Sequence, residues 1–215
     1  MARKVGITAT QVIDAAAAIA DRDGLEAVSL ATVASALEVR PPSLYSHVDG
    51  VGGLRRALGC SASRLLAEQL AEAAAGHDDA RQALVAIAHT YRDFALAHRG
   101  QYAALLPAPK PNDDPDVAAA FAAPIGVVAA VLSRLGIAPE RHVDQIRALR
   151  ALLHGFCDLE LGGGFGLADP IDVSFTLAVD LLVDALVVTT GAGAPSDSPA
   201  APGSADAHRG RTPPP

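Results

Sequence analysis

Arg40, Ser43, Tyr45, Ser46 and His47 fall within the nine-residue stretch RPPSLYSHV, residues 40–48. Each ends in a hydrogen-bonding group on a side chain long enough to reach the phosphates or base edges of a double helix. That chemistry is recognition. For catalysis there is no G-x-S-x-G, no H-E-x-x-H and no glycine loop followed by lysine. The GGGFG at residues 162–166 ends a helical pattern instead of following a strand. The seven histidines show no ligand spacing, so no metal, no cofactor and no enzymatic activity are expected.

Residues 8–23 or 10–23 form a first helix, with Ile13, Ala16, Ile19 and Ala20 at helical spacing and Gly24 as its stop. Ser29 is an N-cap, and Leu30, Val33, Ala34 and Leu37 follow at i, i+3, i+4, i+7. Pro41 and Pro42 suit the first turn of a third helix reaching residue 47 or 48, with Leu44 and Val48 inward. Two short helices around so tight a break, braced by a first, make a helix-turn-helix over residues 29–48. In that arrangement one helix crosses a DNA backbone and the next enters the major groove. The same periodicity also suits a plain three-helix subdomain with a polar outer face.

The chain has 215 residues, half of them apolar but only 4% aromatic, with no Trp. A core of Ala, Leu, Val and Ile favours an all-α fold. The net charge of −7 is uneven: residues 1–56 hold six basic and six acidic side chains, and the acidity belongs to the remainder. Cys60 and Cys157 read as small buried apolar residues of a reducing cytoplasm. Asp14 interrupts the only short apolar run near the basic N-terminus, so a secretory signal is not expected. The sequence reads as free of a run of about 18 uncharged apolar residues, and no membrane partner is expected.

Further helices are expected after Gly53 to residue 75, over 78–98, over 116–135 with a bend or division at Pro124, over 139–161 and over 172–188. The last is apolar nearly all round except Asp180 and Asp184, so it needs cover on every side. Its natural partner is the helix at 139–161, whose Ile146, Leu149, Leu153 and Phe156 form a stripe. Paired across a two-fold axis, the two give a four-helix homodimer interface, with Gly155 allowing close approach. The scarce aromatics cluster nearby: His89, Tyr91, Phe94, Tyr102, Phe121, His154 and Phe156 are candidate lining for a pocket that takes an apolar small molecule, or are ordinary core and surface residues. Residues 191–215 are too rich in Gly, Ala, Pro and Ser to bury a core and read as disordered.

The segment SLATVASALEVRPPSLYSHV, with IDAAAAIADRDGLEAV before it, resembles the N-terminal domain of TetR-family transcriptional regulators. The later ALRALLHGFCDLELGGGFG, residues 148–166, resembles the C-terminal domain of one branch of that family. The resemblance implies a DNA-binding domain at 6–66 and a ligand-binding and dimerisation domain at 78–190. It implies a cytoplasmic homodimer on a palindromic operator in double-stranded DNA, usually a repressor released by a small-molecule effector. Ser29 and Thr32 fall where the second helix meets phosphate. Arg40, Pro42, Ser43, Tyr45, Ser46 and His47 fall on the recognition segment, with Tyr45 donating to phosphate. Arg3 and Lys4 precede the first helix as a basic arm, or as a solvated terminus.

Two positions depart from the family pattern. Glu38 stands where the turn normally has Gly, and Val51 stands where many members carry a phosphate-binding Lys. Arg55 and Arg56, one turn on, are candidates to compensate. These departures keep a rival open, a ligand-binding helical dimer without an operator.

Overall fold

The computed structural model describes residues 6–107 and 114–191 of the chain. Arg3, Lys4, most of the proline-rich stretch after residue 107, and the tail beyond 191 lie outside the described residues. The described residues form eight α-helices and no strand, an all-α fold.

Helix α1 spans Ala9–Asp23. It starts where it does because Thr8 and Gln11 cap it reciprocally, the Thr8 hydroxyl accepting from the Gln11 N–H at 3.2 Å and the Gln11 side chain accepting from the Thr8 N–H at 2.9 Å. Its inner face is Val12, Ala16, Ile19 and Ala20, so Val12 takes the place expected for the half-buried Ile13. Helix α2, Leu30–Ala36, has a second capping box from Ser29 and Thr32. Val33 and Ala34 go fully inward.

The expected third helix is not an α-helix. Pro41–Leu44 is a single 3-10 turn, and residues 45–47 continue as turns. Two adjacent prolines lack donors, and the bonds that form are short: the Ser43 N–H to the Arg40 carbonyl and the His47 N–H to the Leu44 carbonyl, both 2.9 Å. Fully buried Leu44 pins this segment to a core of Val12, Ala16, Val28, Val33, Leu54 and Leu58.

Helix α3, Gly50–Ala75, begins four residues before expectation and runs for 26 residues. Its first half supplies Leu54 and Leu58 to this small core, and its second half supplies Ala62, Leu66, Leu70 and Ala74 to a larger one. One rigid rod about 39 Å long thus threads both cores.

Helix α4 is Ala80–Ala97, with Asp79 accepting from the Gln82 N–H at 2.8 Å as its cap. A seven-residue helix α5, Arg99–Leu105, follows where none was expected. Helix α6, Pro115–Arg134, carries Pro124 inside yet is undivided. By length and composition alone it could cross a membrane, contrary to the expectation that no such stretch exists. Here it packs along α3, and its exposed face is mostly small: Ala118, Ala119, Ala122, Gly126 and Ala130.

Helices α7, Pro139–Leu161, and α8, Ile171–Gly191, complete the larger core. The α7 stripe turns the other way from the interface expected of it. Leu149 and Leu153 are buried within the subunit, and Ile146 and Phe156 pack against the same core. Helix α8 explains its own composition by having two apolar faces. Phe175, Val179, Val183 and Leu186 point inward, while Val173, Leu177, Leu181 and Val188 are exposed. Asp180 and Asp184 hold Arg81 of α4 at 3.0 and 2.7 Å. Deeper, Arg92 is gripped through two nitrogens by Glu160 at 2.6 and 2.7 Å and by Asp172 at 2.8 Å, over the ring of Phe175. That cluster ties α4 to the end of α7 and the start of α8.

Candidate nucleic-acid interface and cavity

On the small core, Arg40, Pro42, Ser43, Tyr45 and Ser46 are all exposed, and His47 is half-buried. Tyr45 is 64% exposed, unusual for an aromatic side chain. Burying Leu44 fixes which way these neighbours point. The Ser46 hydroxyl donates to the Ser43 carbonyl at 3.1 Å and stiffens the turn. Ser29 and Thr32 sit beside this face, but their hydroxyls already serve the fold. Thr32 Oγ1 lies 3.0 Å from Ser29 Oγ and donates to the Ala27 carbonyl at 2.9 Å.

The structure separates the two arginines of α3. Arg55 turns back to Glu26, bonding its carboxylate at 3.1 Å and the backbone carbonyls of Glu26 and Val28 at 3.3 and 3.4 Å. It braces the segment before α2 and does not face outward with Tyr45. Arg56 is exposed, and neither it nor Arg40 has a carboxylate partner among the described residues. At the start of α3, Asp49 makes no side-chain cap, and Val51 and Gly52 are exposed. Uncapped N–H groups at a helix start favour an anion.

In the larger core, α3, α4, α6 and α7, with the end of α5, form the walls of a cavity open to solvent on one side. Tyr91 and Phe121 line it, together with Ser63, Leu66, Ile87, Pro124, Ile146, Leu149, Arg150 and Leu153. Tyr102 and His154 stand behind Tyr91 in a chain, Tyr91 Oη to Tyr102 Oη at 3.2 Å and Tyr102 Oη to His154 Nδ1 at 2.6 Å. Burial pushes both tyrosine hydroxyls above the usual range, Tyr102 the further, so both stay protonated. The other three aromatic candidates lie elsewhere. His89 and Phe156 each meet Phe175 edge-on, and Phe94 packs on His98. Helical spacing identified aromatic positions but not which side of the helix faced the cavity.

Helix α5 lies between the cavity and the small core. Leu105 at its end lines the cavity, and its start is fastened to α1. The Asp21 carboxylate accepts from the N–H groups of Gly100 and Gln101 at 3.0 and 2.9 Å and from the Gln101 side chain at 2.7 Å. His98 Nδ1 lies 3.2 Å from the same carboxylate. A Cβ on Gly100 would come within 2.1 Å of the Ala20 backbone, so only glycine permits this approach. Nothing in the spacing of Asp21 signalled the role, because its partners lie 79 and 80 residues away.

A model of the tetracyclin repressor-like C-terminal domain matches residues 84–182. Over 189 residues the chain is 32% identical to the uncharacterised HTH-type transcriptional regulator YobS of Bacillus subtilis (strain 168), an alignment covering 87% of this chain and 97% of that protein. The chain belongs to the TetR family. It is a DNA-binding transcriptional regulator with a helix-turn-helix, not an enzyme.

A second relative is Rv0681 of Mycobacterium tuberculosis (strain ATCC 25618 / H37Rv), another uncharacterised HTH-type transcriptional regulator, 32% identical over 80% of this chain and 77% of that one. Among solved structures, a protein from Rhodococcus sp. RHA1 shares the fold with a TM-score of 0.74, at 24% identity over 87% of this chain and 99% of that one. A TetR protein of Acinetobacter baumannii AYE, solved in complex with minocycline, shares it with a TM-score of 0.64, at 22% identity over 83% of this chain and 96% of that one.

Within the TetR fold, Glu38 has a definite geometry. Its φ is +55°, the only positive value at a non-glycine position among the described residues. The Glu38 N–H donates to the Ser35 carbonyl at 3.1 Å and the Val39 N–H to the Ala34 carbonyl at 2.9 Å, a complete Schellman closure of α2. The chain ends α6 and α7 with the same closure but places Gly136 and Gly163 at the left-handed position. The turn therefore keeps its shape at Glu38 and carries strain of about 1 kcal/mol.

Proposed function

We propose that the protein is a homodimeric repressor that releases a palindromic operator when a small molecule fills the cavity. The observation that carries this reading is α5, which lines the cavity through Leu105, backs its wall through the Tyr102–Tyr91 bond, and seats Gly100 and Gln101 on Ala20 and Asp21 of α1 in the N-terminal core. A ligand that shifts α5 changes the seat of α1, and with it the set of the recognition turn. Such a ligand favours whichever of two arrangements accommodates it.

In this reading residues 6–66 hold the DNA and residues 78–190 hold the effector and the second subunit, in the cytoplasm. Arg40, Ser43, Tyr45 and Ser46 contact bases and phosphates, with Pro42 setting the turn and His47 at its edge. The exposed sides of Ser29 and Thr32 approach the backbone, and the arm bearing Arg3 and Lys4 adds charge. Arg56 and the bare N–H groups at Val51 and Gly52 replace the phosphate contact that a Lys at position 51 would supply.

The second subunit docks on the outer face of α8. Val173, Leu177, Leu181 and Val188 are exposed at helical spacing beside exposed Leu159 of α7, an apolar stripe that a monomer would leave wet. A Cβ on Gly155 of α7 would meet nothing within the subunit, which leaves room for another helix. Light scattering of the wild type and of a Leu177→Glu/Leu181→Glu variant tests this. Dimeric wild type, and a folded monomeric variant with at least tenfold weaker operator binding, are expected. A monomeric wild type that binds a palindrome equally well would refute it.

A further inference from the structure

Arg150 is out of place for its position. Ile146, Leu149, Arg150 and Leu153 stand at i, i+3, i+4, i+7, and all four line the cavity. Three are apolar, and the fourth is a permanent cation. The arginines packed between helices of the larger core have carboxylate partners, Arg92 with Glu160 and Asp172 and Arg81 with Asp180 and Asp184, whereas Arg150, like the exposed Arg40 and Arg56, has none among the described residues. Among the described residues no carboxylate pairs with Arg150, and the cavity lining contains no Asp or Glu. Arg150 is exposed as well as cavity-lining, so its guanidinium is solvated rather than strained and is free to meet an anionic group on a ligand whose apolar body enters the cavity.

We propose that the cavity takes a small monocarboxylate, its apolar body among Leu66, Ile87, Phe121 and Leu149 and its carboxylate on the Arg150 guanidinium. The inference rests on the effector role given to this cavity above and names the class of molecule.

The remaining polar groups fit the same ligand. The Ser63 hydroxyl spends its proton on the Ala120 carbonyl at 3.0 Å and offers the ligand no donor. Tyr91 can offer one. When His154 carries its proton on Nδ1, it donates to Tyr102, Tyr102 donates to Tyr91, and the Tyr91 O–H is free for an acceptor in the cavity. When Nδ1 accepts instead, Tyr102 donates to His154 and Tyr91 donates to Tyr102, so toward the cavity Tyr91 can only accept. A carboxylate selects the first polarity, and Arg150 lies close enough that its charge acts on both tyrosines. A cation would find no counter-charge among these residues. A more highly charged anion would find only one arginine.

The probes are octanoate and 4-phenylbutyrate, one flexible and one aromatic, each beside its uncharged amide, with binding read by calorimetry on the full-length protein. At least one acid is expected to bind ten times or more tighter than its amide. Arg150→Gln, a change at an exposed side chain, should erase that preference without changing the melting temperature of the free protein. Tyr91→Phe should weaken the acid several-fold more than the amide. Amides that bind as well as acids, a preference that survives Arg150→Gln, or no binding of any probe would each overturn the proposal. Operator release measured in parallel separates the two readings. Acids that bind through Arg150 but leave the DNA complex intact contradict effector release alone. Neutral compounds that release DNA while acids do not contradict the ligand class alone.

Discussion

Ser63 on α3 donates its hydroxyl to the backbone carbonyl of Ala120 on α6 at 3.0 Å, in a buried setting. In an unbroken helix that carbonyl would accept from the residue four positions on, which here is Pro124 and has no N–H. A neighbouring helix thus supplies the bond that proline removes, and α6 continues undivided along the cavity.

This arrangement gives a specific coupling. Ser63→Ala should cost about 1 to 3 kcal/mol by leaving the carbonyl unsatisfied. Pro124→Ala restores the intrahelical donor, so in that background Ser63→Ala should cost far less. Urea unfolding of the four proteins in the cycle measures it, and strictly additive losses would show that the two residues do not share this carbonyl.

Glu38 is left-handed where the chain elsewhere places glycine. Glu38→Gly relieves that strain of about 1 kcal/mol and, after the roughly 0.5 to 1 kcal/mol of extra freedom of the unfolded chain is deducted, is expected to leave stability unchanged or raise it by up to about 0.5 kcal/mol. A loss of stability in thermal or urea unfolding would contradict the geometry assigned to the turn.

The fastening of α5 to α1 leads to two variants. Gly100→Ala places a methyl group against the Ala20 backbone and should cost about 3 kcal/mol or shift α5 outright. Asp21→Ala frees the donors of Gly100 and Gln101 and should cost about 2 kcal/mol. It should also sever the response: effector still binds, but operator affinity no longer changes with it. Full retention of effector control in Asp21→Ala would remove α5 as the link.

Alkaline pH should weaken the fold. Burial, and then the charge of Glu160, push the Cys157 thiol up to about 11 from 9.0, and Tyr91 and Tyr102 are also raised, chiefly by burial. Groups raised in the folded state contribute stability that is whole below the unfolded pKa. It is lost as pH climbs toward the folded one, because the unfolded chain then holds fewer protons. Urea unfolding should therefore show a decline of about 1 to 3 kcal/mol from Cys157 between pH 9 and 11, and a shallower one in Cys157→Ala. Thiol alkylation of the native protein at neutral pH should be slow at this residue.

What the sequence made legible follows from where the determinants lie. Ser29 and the stripe Leu30, Val33, Ala34, Leu37 carry their cap and their periodicity within nine residues, so α2 and its turn could be read locally. The segment from Pro41 could not, because a proline suits the first turn of an α-helix and of a 3-10 helix alike. Helix α5 was invisible, since its start is closed by Asp21 from a distant part of the chain. Periodicity found the stripe on α7 but not its neighbour, and Ile146, Leu149 and Leu153 face the cavity wall instead of a partner. Arg150 within that stripe was the available sign of a ligand site. Aromatic type alone was a poor guide, placing His89, Phe94 and Phe156 beside Tyr91 and Phe121 although they face other parts of the core.

Whether the face around Tyr45 reads DNA is decided by fluorescence anisotropy with the duplex upstream of the protein's own gene, at several salt concentrations, with Tyr45→Ala alongside. Saturable, sequence-specific binding is expected, with an affinity that falls steeply with salt and is at least tenfold weaker in Tyr45→Ala at unchanged melting temperature. Binding that is equal in wild type and variant, or no specific binding even at low salt, would contradict it.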